Sequence, residues 1–346
     1  MSYQRALQTI RLQATDRVAQ QETFDHPRLM QELLPYDPWD NPAQAYVDSY
    51  RALGIDWIFG LPKRALRFAR GESSKAGQDG VRYTEWGLSG SAWREEYPFG
   101  EVEDVLAHDP LAGLQVPEDP LAGIRADQAL MGDAAMVTGI FYTTLFQYPI
   151  MTFGWELFLT AAAAEPDRFQ RVLQGFAEVS RRHLIKWAES RPELVLIHDD
   201  VALERGPVFH PDWYRQRLFP LYEYLLEPLF ANGHTRVAFV SDGDYTPLLA
   251  DLAALGFHGF LVNDNMDLAA IARQYGRDRF LIGNVSTLVL THGSVEDVRR
   301  EVARCLEEAR PCAGHFIKAT RDLPHNIPLP NLRAYFQAVE ELGRRG

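Results

Sequence analysis

Cysteine is scarce: Cys305 and Cys312 are the two in 346 residues. Two thiols cannot build a disulfide framework, and neither lies in a CxxC or Cys/His run, so the chain fits a reducing compartment and both read as buried, inert side chains. Positive charge is also short. Against 47 acidic residues stand 35 Lys and Arg, a balance of −12 that argues against a surface tracking nucleic-acid phosphates, which needs clustered cations. No uninterrupted apolar run approaches the roughly 18 residues of a membrane span. The opening MSYQRALQTIRLQATDRVAQQ carries neither an apolar h-region nor a small-residue cleavage site, and the expectation is a cytoplasmic protein. Several chemical signatures are missing too. GESSKAGQDG lacks P-loop spacing, no GxGxxG follows a strand, and there is neither a GxSxG elbow nor an HExxH pair. No metal is indicated by local motif.

What is present is the composition of a globular protein, 46% hydrophobic and 24% charged, with ample material for a core. To about residue 130 the chain is irregular, with turn-rich stretches such as HPRLMQELLPYDPWDNPAQ and HDPLAGLQVPEDPLAG. One early step stands out there: a helix over 43–53, stopped by Gly54, leading into GIDWIFGLP. From residue 134 a rhythm sets in. AMVTGIF, ELVLIHDDVA, TRVAFVSDGD, GFHGFLVND, RFLIGNVS and GHFIKAT each read as a buried strand, with amphipathic helices between them. One helix starts near Glu165-Pro166 and repeats apolar residues at Phe169, Val172, Phe176, Val179 and Leu184; another begins with Ser294 and Asp297 at capping-box spacing.

Strands apolar on both faces and alternating with helices imply a parallel sheet covered on each side. The expected fold is a (β/α)8 TIM barrel, one domain over 1–346, in which about 1–130 holds an irregular N-terminal extension and the early barrel elements. Barrel is preferred to open sheet because nearly every strand ends in reactive polar groups: His198-Asp199-Asp200, Ser241-Asp242-Gly243-Asp244, Asn263-Asp264, Asn284 and Thr320-Arg321-Asp322. A barrel gathers such ends at one mouth, where active sites sit.

Adjacent strand residues face opposite ways, so one of Asp199 and Asp200 at most looks into the mouth. Turn capping is the plain alternative for either. Asp242 and Asp244 flank a glycine able to adopt a conformation other residues resist; an Asp-Gly turn before a helix competes with a binding role. Asp200, Asp242 and Asp244 are the catalytic candidates. His198, Asp199, Asn263, Asn284, Arg321 and Asp322 are candidates for holding substrate. Carboxylates sharing one cavity repel, which demands a raised pKa or a cation, and Arg321 is the cation at hand. The aromatic stretch 139–158 reads as core packing or as an apolar wall for a flat ligand.

LIHDDVALERGPVFHPDWYRQRLFPLYEYL, VSDGDYTPLLADLAALGFHGF, DLAAIARQYGRDRFLIGNVSTLVLTHGSVEDVRREV and GHFIKATRDLPHNIPLPNLRAYFQAV, in that order, resemble segments of the uroporphyrinogen decarboxylase superfamily. The resemblance covers about 130–346 well and 83–105 loosely. It implies a (β/α)8 barrel that is either a methyltransferase, working with a corrinoid or a methylated small substrate, or a carboxy-lyase acting on a carboxylated tetrapyrrole. A non-catalytic barrel that binds a ligand or docks a carrier is the alternative of another class. The RQAGR motif of true decarboxylases has no counterpart before residue 100, and the zinc ligands of the thiol methyltransferases align with Val240, Asp242 and Arg321. Methyl transfer is therefore the leading expectation. The cofactor stays open, a corrinoid supplied by a partner protein being the one the resemblance suggests. Expected partners are a small or tetrapyrrole-like substrate and a second copy in a homodimer, with neither nucleic acid nor membrane.

Overall fold

The computed structural model describes residues 2–61 and 97–345 and, between them, the backbone of three short antiparallel strands, Ser73–Ala76, Arg82–Trp86 and Ser91–Arg94. Part of the loosely similar stretch 83–105 thus lies outside the described residues. Among these, no helix is long and apolar enough to cross a membrane.

The chain begins with helix α1 (Ser2–Ile10) and strand β1 (Ala19–Gln20), followed by helix α2 (Pro42–Leu53) and strand β2 (Trp57–Ile58). Asn41 caps α2, Pro42 starts it with a fixed φ, and Gly54 ends it at φ 65, a left-handed conformation that glycine adopts without steric cost. Then come β3 (Met136–Val137), β4 (Ile140–Phe141), α3 (Gln147–Phe153), α4 (Pro166–Glu189), β5 (Leu194–His198), β6 (Arg236–Val240), β7 (Gly259–Leu261) and β8 (Phe280–Ile282). Helix α5 (Val295–Glu308), strand β9 (His315–Ile317) and helix α6 (Leu329–Leu342) complete the set used here.

Seven strands form one sheet in the order β1-β9-β8-β7-β6-β5-β4, and every neighbouring pair is parallel. β2 and β3 form a further parallel pair. Gln21, just past β1, bridges Trp57 of β2 in parallel. The expected strands all appear, and the five apolar positions foreseen on α4 are all buried.

Alternation along the strands separates two cores. Leu194, Leu196, Ala238, Val240, Leu261, Ile282 and Phe316 share an inner cluster with Trp57. Val195, Ile197, Val237, Phe239, Phe260, Leu281 and Ile317 face outward into the larger cluster with the helices. The polar N-terminus belongs to this architecture. Ala6 and Ile10 of α1 join the inner cluster, and Asp56, fully buried, ties that end together. It accepts from Arg5 at 2.6 Å and from the Gln20 N–H at 2.9 Å, and pairs with Arg17 at 3.2 Å. Burial pushes the Asp56 carboxyl up, while Arg17 and Arg5 pull the other way. Removing the carboxylate takes a charged partner from two mostly buried guanidiniums, leaving Arg5 to Asp16 and Arg17 to the Gly54 carbonyl, and frees the Gln20 N–H. Asp56→Ala should therefore cost about 3 kcal/mol in urea unfolding; a loss within experimental scatter would mean that this anchor does not hold α1 and β1.

Candidate active site

Past the ends of β5 and β6 the inward–outward alternation continues for two or three residues, and it sorts the polar ones. His198, Asp200 and Asp242 follow the inner-face positions, whereas Asp199 and Ser241 follow the outer-face ones. His198 Nε2 lies 3.0 Å from Asp200 Oδ1, and the same oxygen accepts the Asp242 N–H at 2.9 Å. The Tyr142 ring lies beside the His198 ring, centroids 4.7 Å apart. His198 Nδ1 is buried and has no protein partner among the described residues. Across the sheet, Lys318 follows β9 and is almost wholly buried, its Nζ donating to the Ala319 carbonyl at 2.9 Å.

Charge in this group is tightly coupled. Burial alone would lower the His198 pKa, but the bond to Asp200 and the charges of Asp200, Asp242 and Asp199 outweigh it and raise it. Burial likewise opposes ionisation of Asp200, yet His198 and the Asp242 N–H hold it below the usual carboxylate range. Asp242 and Asp322 keep solvent contact. Even so, the protein around them strips enough hydration to push both up: Asp200 adds to the effect at Asp242, and Asp242 adds to it at Asp322, against the opposing pull of Lys318 and His198. The site therefore holds a carboxylate–imidazole pair in which each partner stabilises the other's charge, beside two carboxyls pushed above their ordinary value.

The other candidates take different positions. Asp199 is fully buried on the outer side, where it accepts from Thr144 Oγ1 at 2.7 Å, the Phe146 N–H at 2.9 Å, the Gln147 N–H and the Tyr222 hydroxyl. Those bonds occupy both oxygens and fix the start of α3, so Asp199 is an anchor behind the site. Asp244 accepts the Thr246 N–H at 2.9 Å and so caps the short helix after it. Gly243, at φ 78, brings its backbone against the 202–203 strand; a Cβ there would lie 2.5 Å from the Leu203 carbonyl oxygen. Asn263 braces the turn, its Nδ2 donating to the Ser241 and Gly243 carbonyls at 2.8 Å. Asn284 turns toward α5, its N–H on Cys305 Sγ at 3.2 Å and its Oδ1 accepting from Arg304 at 3.1 Å. Arg321 is exposed, and its N–H donates to Thr287 Oγ1. Of the nine residues named from the sequence, His198, Asp200, Asp242 and Asp322 are brought into one electrostatic group, with Arg321 acting on Asp242 from outside. Of the aromatic stretch, Phe141, Phe146, Phe153 and Phe158 are core, and only Tyr142 reaches this group.

Sequence reasoning passed over Lys318, Gln21, Glu22 and Thr23. Lys318 was findable as the charged residue ending GHFIKAT. The others sit at the end of β1, which is too polar to read as a strand. Gln21 and Glu22 are fully buried, and Gln21 Nε2, Gln21 Oε1, Glu22 Oε2 and Thr23 Oγ1 lack protein partners among the described residues. Glu22 accepts from the Ala319 N–H and the Tyr335 hydroxyl, and burial pushes it up to about 7.

The zinc expected at Val240, Asp242 and Arg321 in some relatives does not fit here. Val240 packs in the inner cluster, and the three positions offer neither thiolate nor imidazole. Among the described residues no group of three or more His, Cys, Asp or Glu is placed to hold a metal ion. Both cysteines are buried, with thiols pushed up to about 12.

The His198–Asp200 pair has a measurable sign. A histidine held above its usual value of 6.5 contributes stability fully below that value and loses the contribution as pH rises through the elevated one. Asp200→Asn should lower the His198 midpoint in an NMR titration. An unchanged midpoint would show that the pair does not set the imidazole's charge.

Residues 137–342 match the family model described as uroporphyrinogen decarboxylase. The chain is 28% identical over 184 residues to a uroporphyrinogen decarboxylase from Alkalilimnicola ehrlichii, a match over 52% of this chain and 49% of that protein. It thus spans about half the length of that relative. The solved structure of a methyltransferase from Methanosarcina mazei superposes with a TM-score of 0.68 at 20% identity, over 99% of this chain and 98% of the other, a likeness of fold. Since the matched region takes in more than half of the chain and all the strand ends from β5 to β9, the chain belongs to the uroporphyrinogen decarboxylase family.

Proposed function

We propose that the chain is a methyl-transferring enzyme whose paired strands close into a (β/α)8 barrel and whose reaction takes place at the C-terminal mouth. The observation that carries this reading is the geometry around His198, where Asp200 accepts from the imidazole and from the Asp242 N–H, so that Asp242, its carboxyl pushed up by burial and by the Asp200 charge, stands beside a carboxylate held low. Methyl transfer from a small methylated substrate breaks the bond between the methyl carbon and the leaving atom. The electron pair stays on that atom, which takes the Asp242 proton, and the methyl group passes to the acceptor. Asp200 raises His198 and fixes the Asp242 backbone through its N–H, so the donor is oriented before substrate arrives. Tyr142 supplies an apolar ring face at the rim. A corrinoid borne by a partner protein is the methyl carrier proposed for the reaction.

Asp200, held low, weighs against a polycarboxylate, and the described cations nearby are His198, engaged with Asp200, Lys318, bonded to Ala319, and Arg321 at the edge. A decarboxylase reading keeps one observation in its favour, the buried Lys318, which could hold a single side-chain carboxylate.

Asp242→Asn keeps the shape and loses the acid. Turnover with a methylated substrate and a methylcorrinoid acceptor system should fall about 10²- to 10⁴-fold, with the thermal midpoint close to that of the parent. Asp244→Asn, altering a turn cap, should leave turnover near the parent's. Conversion of uroporphyrinogen to less carboxylated products, with no methyl transfer, would replace this proposal by the decarboxylase.

A further inference from the structure

At the opposite end of the sheet, where β1 and β9 begin, lies a cavity of about 420 Å³ lined by residues of α5, the segment after it and the segment after α6. Nothing in the acid cluster reaches it: Lys318 closes the other end of β9, whereas His315, the first residue of that strand, lies in this wall. The volume falls in the range of small-molecule sites.

Three guanidiniums line this cavity, those of Arg310, Arg344 and Arg345, against one carboxylate, Glu307. Arg310 and Glu307 approach to 3.3 Å at a largely exposed position, a weak pair. The side chains of Arg344 and Arg345 make no hydrogen bond or ion pair with any described residue. Arg345 is nevertheless partly buried, and its loss of hydration lowers its pKa, opposed only by the Cys312 thiol. A chain end that waves in solvent could not hold a guanidinium there. This one is pinned: the Val18 N–H donates to the Gly343 carbonyl at 2.7 Å, Arg17 and Arg344 form an antiparallel bridge, and the Arg345 N–H donates to the Asp16 carbonyl at 2.9 Å. Burying an unpaired cation is unfavourable unless an anion completes it. His315 adds no charge to this wall, because burial lowers it to about 4 and its Nε2 is engaged with the Gly283 carbonyl.

Three positive groups and one negative leave two positive charges on the lining, which matches a dianion. Planar guanidiniums bind phosphoryl oxygens in pairs. The remainder of the wall is apolar, with Leu306 and Leu342 among its residues, and would suit the organic part of an ester better than free phosphate. We propose that this cavity is a binding site for a phosphomonoester, with the dianionic head on Arg344 and Arg345 and the organic portion against Leu306 and Leu342. The site is separate from the acid cluster and does not depend on methyl transfer being the reaction.

The test is calorimetric titration of the whole protein with inorganic phosphate and with phenyl phosphate, ionic strength being held constant with sodium chloride. Phenyl phosphate should bind saturably and more tightly than inorganic phosphate. In the Arg344→Gln/Arg345→Gln double variant its affinity should drop at least about tenfold, with the circular dichroism spectrum unchanged. If that variant fails to fold, Arg344→Gln alone, at an exposed position, should still weaken phenyl phosphate severalfold. Absence of saturable binding by phenyl phosphate, binding of inorganic phosphate alone, or full affinity in a folded variant would each overturn the assignment.

Discussion

The pleat of a parallel sheet is the constraint on which the rest of this structure depends. Each strand alternates its side chains between two faces, and each finishes on the same side as its neighbours. Leu194, Leu196, Ala238 and Val240 fill one core while Val195, Ile197, Val237 and Phe239 fill the other. The same two-residue period, carried just past the strand ends, delivers His198, Asp200 and Asp242 together and sends Asp199 the other way. No residue of the acid cluster needs a special device to find its place. A one-residue register slip in β5 would exchange Asp199 with its neighbours and bury a charge among Phe146 and Tyr222 without the bonds that now satisfy it.

This period also explains what could be read from the sequence. Strands β5 to β9 are apolar on both faces and announce themselves as short unbroken runs, so their existence and order were legible. So were the helix stop at Gly54 and the helix starts at Glu165-Pro166 and Ser294-Asp297, which act through local backbone groups. β1 was not. Its residues Ala19 and Gln20, with Gln21 and Glu22 beyond, are all buried, yet their composition is that of a surface loop. What buries them is tertiary: the parallel partner β9, the Asp56 carboxylate on the Gln20 N–H, and Tyr335 of α6 on Glu22. None of these is within 30 residues in the sequence. Asn284 shows the reverse limit. Its place at a strand end suggested the mouth, whereas Arg304 and Cys305 on α5 draw it outward, a choice set by helix packing that no local pattern records.

Electrostatic coupling gives the mouth its chemical character. One carboxylate, Asp200, accepts both from the imidazole and from the Asp242 backbone, and so stays ionised in spite of burial. Burial, and then the Asp200 charge, raise Asp242, whose side chain accepts no comparable donor among the described residues. Two like residues at level positions on neighbouring strands are driven in opposite directions by what each accepts, the pattern by which a single site acquires a base and an acid together. Asp322 and Lys318 extend the network around the opening, and Glu22, buried behind Lys318 and pushed up to about 7, places a further titrating group next to the one buried cation of the described mouth.

The sequence Asp242-Gly243-Asp244 condenses the argument to three residues. Gly243 must be glycine, since any Cβ would strike the Leu203 carbonyl. That close approach lets the Asp244 N–H donate to the same carbonyl at 2.9 Å, which locks the turn. The turn in turn fixes where the strand stops, so that Asp242 remains on the inner-face side while Asp244 is carried past it to cap Thr246. Two identical side chains thus have unlike environments because a glycine between them ends the pleat. Asp242 inherits the period of β6 and meets Asp200; Asp244 has left that period and serves the backbone. The glycine contributes no chemistry of its own, but the separation of an acid from a cap depends on it.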